Sequence, residues 1–235
     1  MINTFLFDLD GTLLPVDLDK FLKIYFGEMA KKLKDHISPE KTAEYIWQAT
    51  EFMVNNKDTQ VTNMEAFSQH FTKITERSFE ELLPIFDDFY ITEYLKTRDA
   101  ISPHPIVKEI IELLKDKNYN LVVATNPLFP KRAIIHRLEW AGLKEEDFQL
   151  ITSYEIMHAC KPNIQYYKEI LDIIGKKPKE CIMVGNDVQE DMIARKLGIN
   201  TFLLENQIIH RESTPPVCDY SGSYEDLKNI IIKQF

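Results

Sequence analysis

The chain has 235 residues, of which 44% are hydrophobic and 28% charged, and it carries a formal net charge of −9. That is the composition of a soluble globular chain long enough for one large domain or a core with an inserted module. No apolar run approaches the length of a membrane span, no basic stretch leads into an apolar one at the N-terminus as a signal peptide would, and the acidity argues against a nucleic-acid backbone as the main partner. A small phosphate ester remains open, because a local site can be positive on an acidic protein. The three cysteines, Cys160, Cys181 and Cys218, are widely spaced. They suggest neither a disulfide framework nor a zinc motif, and they fit a reducing, cytoplasmic setting.

Residues 3–7 predict a buried strand, and the segment Phe5–Pro15 reads Phe-Leu-Phe-Asp-Leu-Asp-Gly-Thr-Leu-Leu-Pro. Asp8 and Asp10 follow where that strand runs out, and Gly11 breaks it. Acids at i and i+2 on an extended backbone point the same way, and like charges held close raise the free energy unless a cation lies between them. The pattern fits an oxygen-ligand metal site, with one carboxylate free to attack and the other placed to move protons. A polar turn uses the same residues. An EF-hand loop does not fit, because Thr12 and Asp19 stand where its fifth and twelfth ligands belong.

Residues 18–98 read as helices without a convincing strand. The first carries a stripe of Leu18, Phe21, Leu22, Tyr25, Phe26, Met29 and Leu33. Ser38-Pro39 starts a second, Phe67, Phe71 and Ile74 mark a third, and Ser78-x-x-Glu81 is a capping-box signal for a fourth. Pro84 is expected to start a new helix or kink that one. The aromatic and methionine stripes here read most simply as core packing.

From about residue 100 the rhythm becomes alternating helix and strand. Pro105 opens a helix, 120–125 is a strand, 130–141 a helix, 148–152 a strand and 163–174 a helix. Then come a strand at 181–185, a helix at 191–197, a strand at 200–204 and a last helix at 224–233 capped by Ser223. Residues 205–222 read as an irregular surface segment. The alternation predicts an α/β protein with a parallel sheet and right-handed crossovers. Residues 1–15 and 100–235 form the Rossmann-like, three-layer α/β/α core in this reading, and residues 16–99 an inserted all-α helical unit.

Sites in such sheets form at the carboxyl ends of the strands. Asp8 and Asp10 fall there, as do Thr125 and Asn126, then Gly185, Asn186 and Asp187, with Asp191 nearby and Lys161 in the loop before a helix. Each has a dull explanation alone: a turn, a solvated lysine, acids at a helix start. Together they converge on one edge. Two like charges about 4 Å apart repel by about 4 kcal/mol at an effective dielectric of about 20, so three close carboxylates cost on the order of 12 kcal/mol, comparable to the stability of a domain. A divalent cation and Lys161 relieve that cost, and sparse all-oxygen ligation suits Mg²⁺.

With these residues in place the sequence resembles the haloacid dehalogenase superfamily of phosphotransferases. Its four motifs stand in order: Asp8-Leu9-Asp10-Gly11-Thr12-Leu13, then Thr125-Asn126, then Lys161-Pro162, then Gly185-Asn186-Asp187 through Asp191. The helical insertion looks like the family's α-helical cap. The resemblance implies Asp8 as nucleophile forming an aspartyl-phosphate, Asp10 as general acid and then base, Thr125 and Asn126 at the phosphoryl group, and Lys161 as charge balance. It implies Mg²⁺ held by Asp8, the Asp10 carbonyl and an acid of the fourth motif. An aspartate at position 10 favours phosphoryl transfer over dehalogenation, which has no ester oxygen to protonate. The family usually has Gly-Asp in the fourth motif. Aligned on the glycine, Asn186 takes the ligand position; aligned on the spacing to Asp191, Asp187 takes it, and a carboxylate is the better ligand. His158, where small residues are usual, reads as a loop residue. The expected activity is a Mg²⁺-dependent phosphatase of a small soluble phosphomonoester, without nucleic-acid or membrane partners. The rivals are a sugar phosphomutase with the same intermediate, a phospho-accepting signalling domain and an inactive scaffold.

Overall fold

The computed structural model describes residues 1–235. Six strands form one sheet: β1 (Thr4–Phe7), β2 (Asn120–Val123), β3 (Leu150–Ile151), β4 (Cys181–Gly185), β5 (Asn200–Leu204) and β6 (Tyr220–Gly222). Their order is β3-β2-β1-β4-β5-β6, and every pair is parallel. Parallel strands buried on both faces need apolar residues at every position, and β1 and β4 are buried throughout. Alternate side chains feed two cores. Phe5, Phe7, Leu121, Val123, Ile182 and Val184 pack on one face with helices α5 (Pro105–Asp116), α6 (Lys131–Trp140) and α8 (Tyr224–Gln234). Leu6, Val122 and Met183 pack on the other with α7 (Ile164–Ile174). This is the expected three-layer α/β/α architecture.

Between β1 and α5 lie four helices: α1 (Leu18–Lys32), α2 (Pro39–Asn55), α3 (Asn63–Thr75) and α4 (Phe79–Ile91), followed by a 3₁₀ stretch, Glu93–Ala100. Their aromatic stripes form a third core in which Tyr25, Phe71, Phe86, Phe89 and Tyr94 meet edge to face. The chain enters and leaves this unit through adjacent segments, bridged at Val16 and Ile101. The N-terminus of α3 docks on the sheet-bearing part, where the amides of Asn63 and Met64 donate to the carbonyls of Met157 and Tyr154 at 2.8 Å each.

Three local expectations change. Residues 205–222 contain β6, a three-residue edge strand. It has no period-two apolar pattern, and Asp219 pins it by accepting from the amide and hydroxyl of Thr201. Of the two alternatives for Pro84, the start of a new helix is overturned: Pro84 lies within α4. It deprives only the Glu80 carbonyl of a bond, and Glu80 is exposed to water. Ser38 and Ser78 stand before their helices without side-chain caps, whereas Thr62 and Glu65 form the full capping box.

Candidate active site

The strand order reverses beside β1: the chain moves outward to β2 and β3, then returns to place β4 on the other side. The crevice beyond the carboxyl ends of β1 and β4 is where such sheets place ligands. Asp8 and Asp10 leave β1 there, and Asn186 and Asp187 leave β4.

Lys161 is the hub. It is fully buried, and its Nζ donates to Asp8 Oδ1 at 2.8 Å and Asp191 Oδ1 at 2.6 Å. Burial alone would lower its pKa, but Asp191 and Asp8 hold it well above the ordinary lysine value. Burial pushes Asp191 up to about 7 against the pull of Lys161. The second oxygen of Asp191 accepts from the Asp187 amide at 2.9 Å. Asp8 Oδ2 takes no protein hydrogen bond, and the Asp8 side chain lines the cavity above. Gly185 makes this packing feasible, since a Cβ there would lie 2.1 Å from Asp191 Oδ2. Gly11 is equally constrained: its φ is +85°, and a Cβ would meet Asn186 Nδ2 at 2.3 Å.

Asp10 is partly open to the cavity and is paired with Arg137, a fully buried residue of α6. Burial raises the Asp10 pKa, opposed by Arg137. The Arg137 guanidinium also lies over the Phe129 ring, 4.7 Å from its centroid. Thr125 is buried and lines the cavity. Its carbonyl accepts from Thr152 and Tyr166 hydroxyls at 2.8 and 2.7 Å, which holds the end of β2 in place. The Asn126 amide ties two loops together, donating to Glu190 at 3.0 Å and accepting from the Lys161 amide at 3.2 Å. His158 is paired with Glu169 of α7 at 2.6 Å and does not line the cavity.

At the fourth motif both neighbours are engaged. Asn186 accepts from the Thr12 hydroxyl at 3.0 Å and donates to the Gln207 carbonyl at 2.7 Å. Asp187 accepts from the amides of Gln189 and Glu190 and is paired with Arg211 at 2.7 Å. Arg211 is about half exposed, with 52% of its side chain accessible, so its hold on Asp187 is exchangeable in a way the buried bonds of Asn186 are not.

Five carboxylates line the cavity: Asp8, Asp10, Asp187, Glu190 and Asp191. Three cations meet them, Lys161, Arg137 and Arg211, so two negative charges are left over when all are ionised. No cluster of three His, Cys, Asp or Glu side chains is arranged around one point. A metal here would be held by two side chains and a main-chain carbonyl. Oxygen donors with a deficit of two positive charges fit a hard dication.

Six sequence-predicted residues, Asp8, Asp10, Thr125, Asn126, Lys161 and Asp187, thus lie at one sheet edge. Arg137, Glu190 and Arg211 were not predicted. Arg137 had a faint signal, a basic residue on the apolar stripe of Ala133, Ile134 and Leu138. Glu190 adjoins Asp191 in sequence. Arg211 had none, because it belongs to the segment read as irregular surface.

Above the acids is a cavity of about 360 Å³, roofed by α1, α2, α3 and α4. Of its 26 lining residues, 16 are hydrophobic.

A family model described as haloacid dehalogenase-like hydrolase matches residues 2–198. The chain is 26% identical over 214 residues to the glyceraldehyde 3-phosphate phosphatase of Methanothermobacter thermautotrophicus, covering 90% of this chain and 89% of that one. It is 23% identical over 233 residues to the pyrophosphatase PpaX of Oceanobacillus iheyensis, covering 98% and 95%. Among solved structures, the HAD phosphatase from Thermococcus onnurineus superposes with a TM-score of 0.61 at 20% identity, covering 98% of each chain, which establishes the shared fold.

Proposed function

The chain belongs to the haloacid dehalogenase-like hydrolases, and from that premise we propose that it is a phosphatase of phosphomonoesters that works through an aspartyl-phosphate. One observation carries the reading: Lys161 anchors one oxygen of Asp8 and leaves the other unbonded, in a side chain that lines the cavity. The free oxygen is the nucleophile. It attacks phosphorus, the bond to the leaving oxygen breaks, and Asp10 gives that oxygen a proton. Water then attacks the aspartyl-phosphate, Asp10 takes the water's proton, and phosphate leaves with Asp8 regenerated. Lys161 keeps Asp8 ionised and supplies fixed positive charge beside the phosphoryl oxygens. Thr125, at the end of β2, donates its hydroxyl to one of them. Arg137, itself buried, orients Asp10 through an ion pair.

Mg²⁺ would be held by Asp8, the Asp10 carbonyl and Asp187, and it would supply Lewis-acid neutralisation of the phosphoryl charge. We assign Asp187 over Asn186 because it brings a full charge and its Arg211 partner is exchangeable. Residues 16–99 act as a cap domain over the core formed by residues 1–15 and 100–235, and the amides of Asn63 and Met64 latch it shut. Closure excludes water that would compete for the reacting groups. The named activities of the two relatives support phosphoryl hydrolysis. A sugar phosphomutase is less well supported, because a sugar's hydroxyls would face a largely apolar roof without partners. The test is phosphate release from a panel of phosphomonoesters with Mg²⁺ present. The wild-type protein turns over and Asp8→Asn does not, with circular dichroism unchanged. Equal turnover by Asp8→Asn overturns the nucleophile assignment.

A further inference from the structure

The roof of the cavity says what sits on the far side of the scissile bond. From α1 to α4 it presents Phe21, Phe26, Ile46, Trp47, Phe67 and Phe86, among others, and not one lysine, arginine, aspartate or glutamate. Its polar atoms are few and neutral. The hydroxyls of Tyr25 and Tyr90 bond to each other at 3.0 Å, and burial pushes the Tyr25 hydroxyl up to about 12. The hydroxyl of Thr50 is turned back to the Ile46 carbonyl at 2.8 Å. All charged side chains of the cavity come from the floor or its rim: Asp8, Asp10, Asp187, Glu190, Asp191 and Arg211.

A leaving group that carries a carboxylate or a second phosphate would meet no cation in the roof, and Arg211 at the rim is already paired with Asp187. Burying an unpaired anion is among the costliest changes a site can make. A polyol would lose its water without gaining partners. An uncharged ring loses nothing on entry and gains the area it buries, with aromatic walls offering offset and edge-on contacts. At about 360 Å³ the space falls within the range of small-molecule pockets and exceeds what the phosphoryl group needs.

We therefore infer, on the basis of the phosphatase reading, that the substrate is a phosphomonoester of an uncharged, ring-bearing apolar alcohol, its ring seated among the aromatic side chains of the helical roof. This sets the chain apart from its two named relatives, because pyrophosphate and glyceraldehyde 3-phosphate present charged or polar leaving groups.

Two measurements test it. The first compares kcat/KM for benzyl, ethyl and glycerol phosphates and phosphoglycolate, all alkoxide leavers, so that ring and charge rather than leaving-group reactivity are varied. Benzyl phosphate is expected to exceed ethyl phosphate by about 30-fold, from the apolar area of one ring. The second is calorimetric binding of benzylphosphonate, methylphosphonate and phosphonoacetate, none of which can be hydrolysed. Benzylphosphonate should bind most tightly. Phe26→Ala should narrow its lead over methylphosphonate, and Thr50→Arg should shift preference toward phosphonoacetate. Equal values for benzyl and ethyl compounds in both measurements, or a lead for phosphoglycolate and phosphonoacetate, overturn the inference and leave the phosphatase reading standing. No turnover of any ester with benzylphosphonate still preferred supports the apolar site and sinks the phosphatase reading instead.

Discussion

Replacing Lys161 by methionine keeps its length and removes its charge, and the structure says how much that should cost. Nζ lies 2.8 Å from Asp8 and 2.6 Å from Asp191, with no access to water. At an effective dielectric of about 20, each contact represents roughly 6 kcal/mol of gross attraction. Desolvation of the three ions offsets most of this, so the pairs themselves add little net stability. Removing only the cation is different, because the desolvation of two carboxylates remains while their partner is gone. Breaking a buried pair this way costs about 3–5 kcal/mol, and a value of about 4 kcal/mol is expected for Lys161→Met. Asp191→Asn should return part of it, since the amide relieves one stranded charge. Urea unfolding in the presence of chelator measures all four corners of the cycle, Lys161→Met, Asp191→Asn, the double variant and wild type. The double variant should be at least about 1 kcal/mol more stable than additivity predicts. A Lys161→Met loss below about 1 kcal/mol, or an additive cycle, would refute the claim that this lysine compensates two buried carboxylates.

Other outcomes follow from neighbouring geometry. Mg²⁺ titrated calorimetrically should bind at least about tenfold more weakly to Asp187→Asn than to wild type, a range that outer-shell changes alone already reach; a larger loss in Asn186→Ala would reassign the ligand. Gly185→Ala should abolish turnover and lower stability by about 2 kcal/mol or more, because its Cβ would overlap Asp191; a crystal structure with Asp191 unmoved would refute it. Burial pushes the Asp219 carboxyl up, but Arg195 and Thr201 outweigh this and hold it below the usual range. Its folded pKa is thus lower than its unfolded one, so its contribution is complete above about pH 5 and fades as pH falls through about 4 and below. Wild type should lose stability more steeply than Asp219→Asn across that interval, and parallel acid limbs would refute the assignment.

The floor of the site was legible in the sequence because parallel topology does the gathering. Asp8 and Asp10, Thr125, Lys161 and Asp187 stand just beyond strands or at loop ends, and a parallel sheet brings such positions to one edge whatever the intervening chain does. No rotational phase has to be known. Arg137 was not legible for the opposite reason. It lies mid-helix, and its partner Asp10 is 127 residues away. Whether its side chain reaches the site or water depends on how α6 is rolled against the sheet and against Tyr94 and Phe129, which a stripe of three apolar residues does not determine. The strand β6 was hidden because it is held by Asp219 and by backbone pairing, neither of which imposes an apolar period.

The roof poses a subtler problem. Helical periodicity identifies the inward face of a helix but not whether the space before that face is filled. On α1, Phe21, Leu22, Tyr25 and Phe26 line the cavity, while Met29, one turn further on, is packed solid in the helical core. On α4, Phe86 borders the void and Phe89 does not. The α1 residues belong to one stripe, which reads as plain core packing. What keeps the cavity open is the frame around it. Rings meet edge to face, as Tyr25 does with Phe89 at 5.6 Å and with Phe129 at 5.6 Å. The Tyr25–Tyr90 hydrogen bond braces α1 against α4. Flexible aliphatic side chains in those positions would collapse into the space, since interiors close voids where rotamers allow. Planar rings held by fixed edge-to-face partners do so less readily. The aromatic richness of this helical unit thus gives the hollow a braced wall.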